Sequence, residues 1–129
     1  MSRYISENIR SFVAKRAENC CEYCKITEDI SLYTFQIDHI ISLKHGGKTV
    51  VENLAYSCFL CNNSKGSDVG TVFQPDMNFI RLFNPRIDIW DEHFTYEDCI
   101  FHAKSLISEA TIKVLKLNDI DRIIERSYY

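Results

Sequence analysis

The sequence predicts an α+β fold from three observations: helical apolar spacing at both ends, short β-branched and aromatic runs between them, and two matched C-x-x-C pairs. A chain of 129 residues, 46% hydrophobic and 26% charged, supports one modest globular core. We therefore expect a single domain over 1–129. No run approaches the ~20 apolar residues of a membrane span. The opening "MSRYISENIR" lacks the apolar centre of a secretory leader, which points to a cytoplasmic chain with no membrane partner. The net charge of −3 excludes a globally basic nucleic-acid binder but leaves room for a local basic patch.

Ser6 caps a first helix whose apolar positions are Ile9, Phe12, Val13 and Ala17, ending near Asn19. Ser31 to Ile41 is rich in strand formers and reads as a strand that stops at Asp38-His39. Gly46-Gly47 marks a turn or open loop, and Leu54 to Ser57 a second short strand. "CNNSKGS" suits a short helix or turn. Val72 to Arg86 is irregular, since Pro75 and Pro85 block long elements. His93–Tyr96 and Cys99–Ala103 read as two short strands. Ser108 is expected to cap a helix through Leu115, and Asn118 another through Arg126. That last helix should bury Ile120, Ile123 and Ile124 and expose Asp121, Arg122, Glu125 and Arg126.

Four of the six cysteines form the pairs Cys21/Cys24 and Cys58/Cys61. Tetrahedral Zn²⁺ takes four thiolates in structural sites, so these residues are expected to clamp one ion from two knuckles. A full thiolate set leaves no open position, which makes that zinc structural. Core cysteines or disulfides are the bland alternatives, but neither accounts for two matched spacings in a reducing compartment. Cys20 and Cys99 are left over and read as buried thiols. The insertion between Cys24 and Cys58 exceeds the ~15–20 residues of a simple zinc ribbon. It carries "FQIDHIISLKHGG", an adjacent carboxylate and imidazole inside an apolar run.

Taken together, Asp38-His39, Asn53-Leu54 and Cys58-x-x-Cys61-Asn62-x-x-Lys65-Gly66 resemble the HNH endonuclease family, in the subgroup framed by two C-x-x-C pairs. Asn62 stands where some relatives have a last histidine. The likeness reaches beyond this motif: "RAENCCEYC" resembles the usual entry to the first knuckle. "LFNPRIDIWDEHF" and "EATIKVLKLN" are similar to segments of a bacterial branch. Ser42 replaces a frequent proline, and Ser108-Glu109 a frequent Gly-Arg, which removes a phosphate contact there. The resemblance implies a ββα-metal core at about 18–70, with 71–129 as a C-terminal extension packed on it.

It also implies a metal-dependent nuclease that cuts DNA, double-stranded in preference to single-stranded, to leave a 5′-phosphate and a 3′-hydroxyl. An imidazole with an ordinary pKa near ~6.5 can take a proton from water, which suits His39 as general base. Asp38 and Asn62 offer hard oxygens to Mg²⁺ or Mn²⁺, and Asn53 holds the loop that orients His39. Lys44, His45, Lys48 and Lys65 are candidate phosphate contacts. Alone, each has a plainer reading: a core histidine, a turn cap, a helix end, a solvated loop. Arg81, Arg86 and His93 read as packing or surface residues, and Trp90 and Phe94 as core. A non-catalytic zinc-stabilised nucleic-acid-binding module, and a nuclease needing a protein partner or a second copy for DNA affinity, are the other classes considered. Phage defence, restriction, mobile-element and repair proteins all use the module.

Overall fold

The computed structural model describes residues 4–31 and 33–128, so Leu32, inside the expected Ser31–Ile41 run, lies outside it. Contacts divide the chain into two compact units, residues 1–67 and 68–129. Among the described residues no helix is long and apolar enough to cross a membrane.

In the first unit, helix α1 spans Glu7–Arg16, and the Ser6 side chain accepts from Ile9 N as its cap. Only Val13 of its expected apolar face is fully buried; Phe12 is half exposed beneath the Arg16 guanidinium. Arg16 holds the helix in place by donating to Val51 O at 2.9 Å and Leu54 O at 2.6 Å. Strand β1 is Gln36–His39 and β2 is Leu54–Ser57, paired antiparallel with Asp38 opposite Ala55 and His39 opposite Leu54. Helix α2, Phe59–Lys65, follows immediately, capped by the Cys58 sulfur accepting from Cys61 N. Two strands and a helix in this order form the expected ββα core. Tyr23, Phe35, Leu54 and Ala55 are almost wholly enclosed around it.

The second unit begins with a hairpin, β3 (Gly70–Phe73) and β4 (Asn78–Arg81). The irregular segment expected there is corrected in its first half, because Pro75 sits in the connecting turn and so breaks neither strand. A loop leads to a short helix α3, Trp90–His93, and a second hairpin, β5 (Phe94–Glu97) with β6 (Ile100–Ala103). Helices α4 (Leu106–Leu115) and α5 (Ile120–Arg126) complete it. Phe83, Phe94 and Phe101 form its aromatic core, with the half-buried Trp90 stacked on Phe94.

Four local expectations are corrected here. Ser105, not Ser108, caps α4; Ser108 completes the reciprocal capping box. Asp119 takes the cap position of α5, while the Asn118 side chain pairs with both backbone groups of Phe101. Ile120 and Ile124 are exposed, whereas Arg122 and Arg126 are buried. Those guanidiniums donate to Leu115 O and to Cys99 O, which is how a long charged side chain can sit inside. Cys20 and Cys99 are half-buried, not buried.

Candidate active site and metal centre

The two C-x-x-C turns lie at opposite ends of the β1 segment in sequence and meet in space. The four Sγ atoms of Cys21, Cys24, Cys58 and Cys61 all lie within 4.8 Å of one another, and all four residues are buried. A tetrahedral ion with bonds of ~2.3 Å separates its sulfurs by about 3.8 Å; Cys24 and Cys58 Sγ stand 3.7 Å apart. Within each turn the second cysteine's N–H points at the first sulfur, at 3.4 Å in both pairs. Burial pushes the Cys21 thiol up, but hydrogen bonds from its three sulfur neighbours outweigh that and hold it well below the usual range. Cys24 is held well above by its bonds to Cys21 and Cys58, and Cys61 well above by burial first. Four enclosed sulfurs this close together are a donor set that a cation completes.

The first knuckle is fastened to both strands. Glu22 N donates to Tyr56 O at 2.9 Å, and Glu22 Oε2 accepts from Tyr56 N at 2.8 Å. Tyr23, the next residue, donates its hydroxyl to Asp38 Oδ2 at 2.6 Å. Burial, and then the Asp38 charge, push the Tyr23 hydroxyl well above its ordinary value, so it keeps the proton it donates.

Asp38 is 4% exposed. Its other oxygen accepts from Lys65 Nζ at 3.1 Å, and the same ammonium donates to His39 O at 3.1 Å and Ile40 O at 3.2 Å. Burial pushes the Asp38 carboxyl up; Lys65 and the Tyr23 hydroxyl oppose it without fully cancelling it. Lys65 is therefore turned inward, 2% exposed, and as placed it faces a carboxylate and the end of β1, not a phosphate. The other three candidate contacts, Lys44, His45 and Lys48, are exposed on the loop after β1.

His39 Nε2 lies 2.9 Å from Thr49 Oγ1. Thr49 is carried by the same loop, which Asn53 closes. Asn53 Oδ1 accepts from Ile41 N, and its amide donates to Ile41 O and Lys48 O, all at 2.9 Å. Gly47 allows the closure: a Cβ there would stand 1.7 Å from Ile41 O. Asn62, on α2, donates to Gln36 Oε1 at 2.6 Å. Asp38, His39, Ser42, Lys44, Asn62 and Ser67 line one open cleft of about 380 Å³. The strand ends at His39, and this lets neighbours of opposite side-chain direction serve the same space. Sequence reasoning missed Tyr23, Gln36 and Thr49; none of them stands out by spacing, and only Tyr23's place inside the knuckle hinted at a role.

A carboxylate, an imidazole and an amide line one cleft on a ββα core, beside four cysteines placed to hold a metal ion. Residues 21–68 match the family model for HNH endonuclease. Over 118 residues it is 26% identical to the Septu protein PtuB of Bacillus thuringiensis, covering 90% of this chain. The chain spans 43% of that relative's length. No solved structure matches it.

Proposed function

We propose that this chain is a metal-dependent endonuclease that hydrolyses DNA phosphodiester bonds, with double-stranded DNA preferred. The observation that carries the reading is the convergence of Asp38, His39 and Asn62 on one cleft of the family's domain. His39 acts as general base toward water, and its Thr49 contact fixes the ring's orientation. Asn53 keeps the His39 side of the cleft in shape by closing the loop. Asp38 and Asn62 hold a divalent cation, Mg²⁺ or Mn²⁺. When bound, such a cation supplies charge stabilisation to the phosphate and the leaving 3′ oxygen. Lys44, His45 and Lys48 approach the DNA backbone. Zn²⁺ at the four cysteines is structural, and residues 71–129 are a C-terminal extension of the same nuclease domain.

The test is plasmid cleavage by zinc-loaded protein with Mg²⁺ or Mn²⁺, beside His39→Ala. Wild type is expected to nick or cut, and the folded variant to lose about 10²–10⁴ in rate. Equal inertness of both across metals and at low salt overturns the nuclease reading in favour of a binding module. A net charge of −3 favours a second arm: activity that appears only with a protein partner or a second copy present.

A further inference from the structure

Tyr23 occupies an unusual place. It is one of the two residues between Cys21 and Cys24, so the metal knuckle fixes its backbone, and it is fully enclosed. Its hydroxyl donates to Asp38 Oδ2 at 2.6 Å. The preceding residue, Glu22, binds the knuckle to β2 through two bonds with Tyr56, so the hydroxyl approaches Asp38 from a fixed support. A carboxylate has about four lone-pair sites on its two oxygens. Tyr23 takes one on Oδ2 and Lys65 one on Oδ1, from opposite elements, the knuckle and α2. Two donors on two oxygens fix both the rotation and the tilt of the carboxylate plane, and each oxygen keeps a lone pair for a cation.

We propose that Tyr23 is a positioning residue for catalysis: the zinc knuckle, through the Tyr23 hydroxyl, sets the orientation of the Asp38 carboxylate that receives the catalytic divalent cation. The two metal centres are then coupled through one side chain. Outer partners of metal ligands typically contribute 10–100-fold to metal affinity or activity. The inference rests on the reading of Asp38 as a cation ligand, and the experiment separates the two.

Mn²⁺ binding to zinc-loaded protein is followed by electron paramagnetic resonance for wild type, Asp38→Ala and Tyr23→Phe, with zinc content measured on each sample. Tyr23→Phe is expected to keep one zinc per chain while its Mn²⁺ dissociation constant rises about 10-fold or more. On plasmid DNA its kcat should fall while KM stays within about twofold, since no DNA contact is removed. If Asp38→Ala binds Mn²⁺ as wild type does, the ligand reading of Asp38 fails. If Asp38→Ala loses Mn²⁺ and Tyr23→Phe does not, the Tyr23 proposal alone is overturned. Should Tyr23→Phe not fold, 3-fluorotyrosine placed at position 23 decides: its ¹⁹F resonance must move on Mg²⁺ addition, and an unmoved resonance overturns the coupling.

Discussion

Replacing Lys65 by methionine keeps the aliphatic stem and removes the ammonium. Three acceptors lose their donor at once: Asp38 Oδ1, His39 O and Ile40 O. Each of the two carbonyls loses a hydrogen bond from a charged donor, worth about 1 kcal/mol. The carboxylate costs more, since the pair is 1% and 4% exposed at its side chains and breaking a buried pair typically costs 3–5 kcal/mol. The losses overlap, so the expected total is about 4 kcal/mol. At a urea slope of ~2 kcal/mol/M this lowers the midpoint by about 2 M. The sign with pH follows from Asp38, whose carboxyl burial already raises above its unfolded value. Without Lys65 it rises further. A group of this kind favours folding most below the unfolded carboxylate pKa and loses that contribution as pH rises through the folded one. The deficit of Lys65→Met is therefore largest at neutral pH and shrinks toward pH 4. Urea melts at fixed zinc across that range measure it. A deficit below 1 kcal/mol, or one that does not change with pH, refutes the assignment of Lys65 as Asp38's internal counter-ion and returns it to the surface phosphate role.

The two adjacent glycines separate backbone strain from space. Gly46 has φ +87 and open surroundings, so Gly46→Ala should cost about 1 kcal/mol. Gly47→Ala meets the Ile41 carbonyl, must push the loop off Asn53, and should cost about 3 kcal/mol with a larger loss of activity; equal costs in thermal melts would contradict this. Cys58→Ser is expected to lose zinc and unfold the first unit, read by metal analysis and circular dichroism; a folded variant without metal would speak for ordinary core cysteines. In the second unit, two hydrogen bonds from Arg81, at 2.7 and 2.8 Å, hold the Asp88 carboxyl below its ordinary range. Its contribution is present above the unfolded pKa and is lost as pH falls through the folded one. Arg81 is 41% exposed, so solvent screening limits the effect to about 1 kcal/mol. Asp88→Asn should trail wild type by that amount at pH 7, with the gap closing as pH falls through the acid range.

The ββα core was legible because its residues are constrained by chemistry at fixed spacing. Cysteine pairs declare a knuckle, and a polar pair closing an apolar run declares a strand end. What escaped was set by partners distant in sequence. The hairpin at 70–81 hides behind Pro75, which reads as a breaker until the turn is seen to hold it. Arg122 and Arg126 read as solvent-facing because charge is a poor guide to burial when backbone carbonyls lie within reach of a guanidinium. Caps shifted by a few residues, Ser108 to Ser105 and Asn118 to Asp119, because neighbouring polar side chains compete for one cap position and packing decides between them. Within the site, the motif named the groups that face the cleft but not those that aim them. Tyr23, Gln36 and Thr49 touch Asp38, Asn62 and His39 from elements distant in sequence, and no local pattern encodes such contacts.

On the proposed nuclease reading, the inward turn of Lys65 also bears on how this unit would meet DNA. Of the four cations expected to approach phosphate, three remain exposed: Lys44, His45 and Lys48. Phosphate neutralisation by two lysines, with the histidine contributing only when protonated, corresponds to a salt slope of about −2 to −3. Proteins that hold DNA through ~6–10 phosphate contacts show slopes several times steeper. A chain of net charge −3 adds no general attraction to compensate. On the proposed nuclease reading, the cleft is better equipped to orient a phosphodiester than to capture a duplex. That imbalance favours the reading in which capture is supplied from outside this chain, by a partner or a second copy, and hydrolysis from within it.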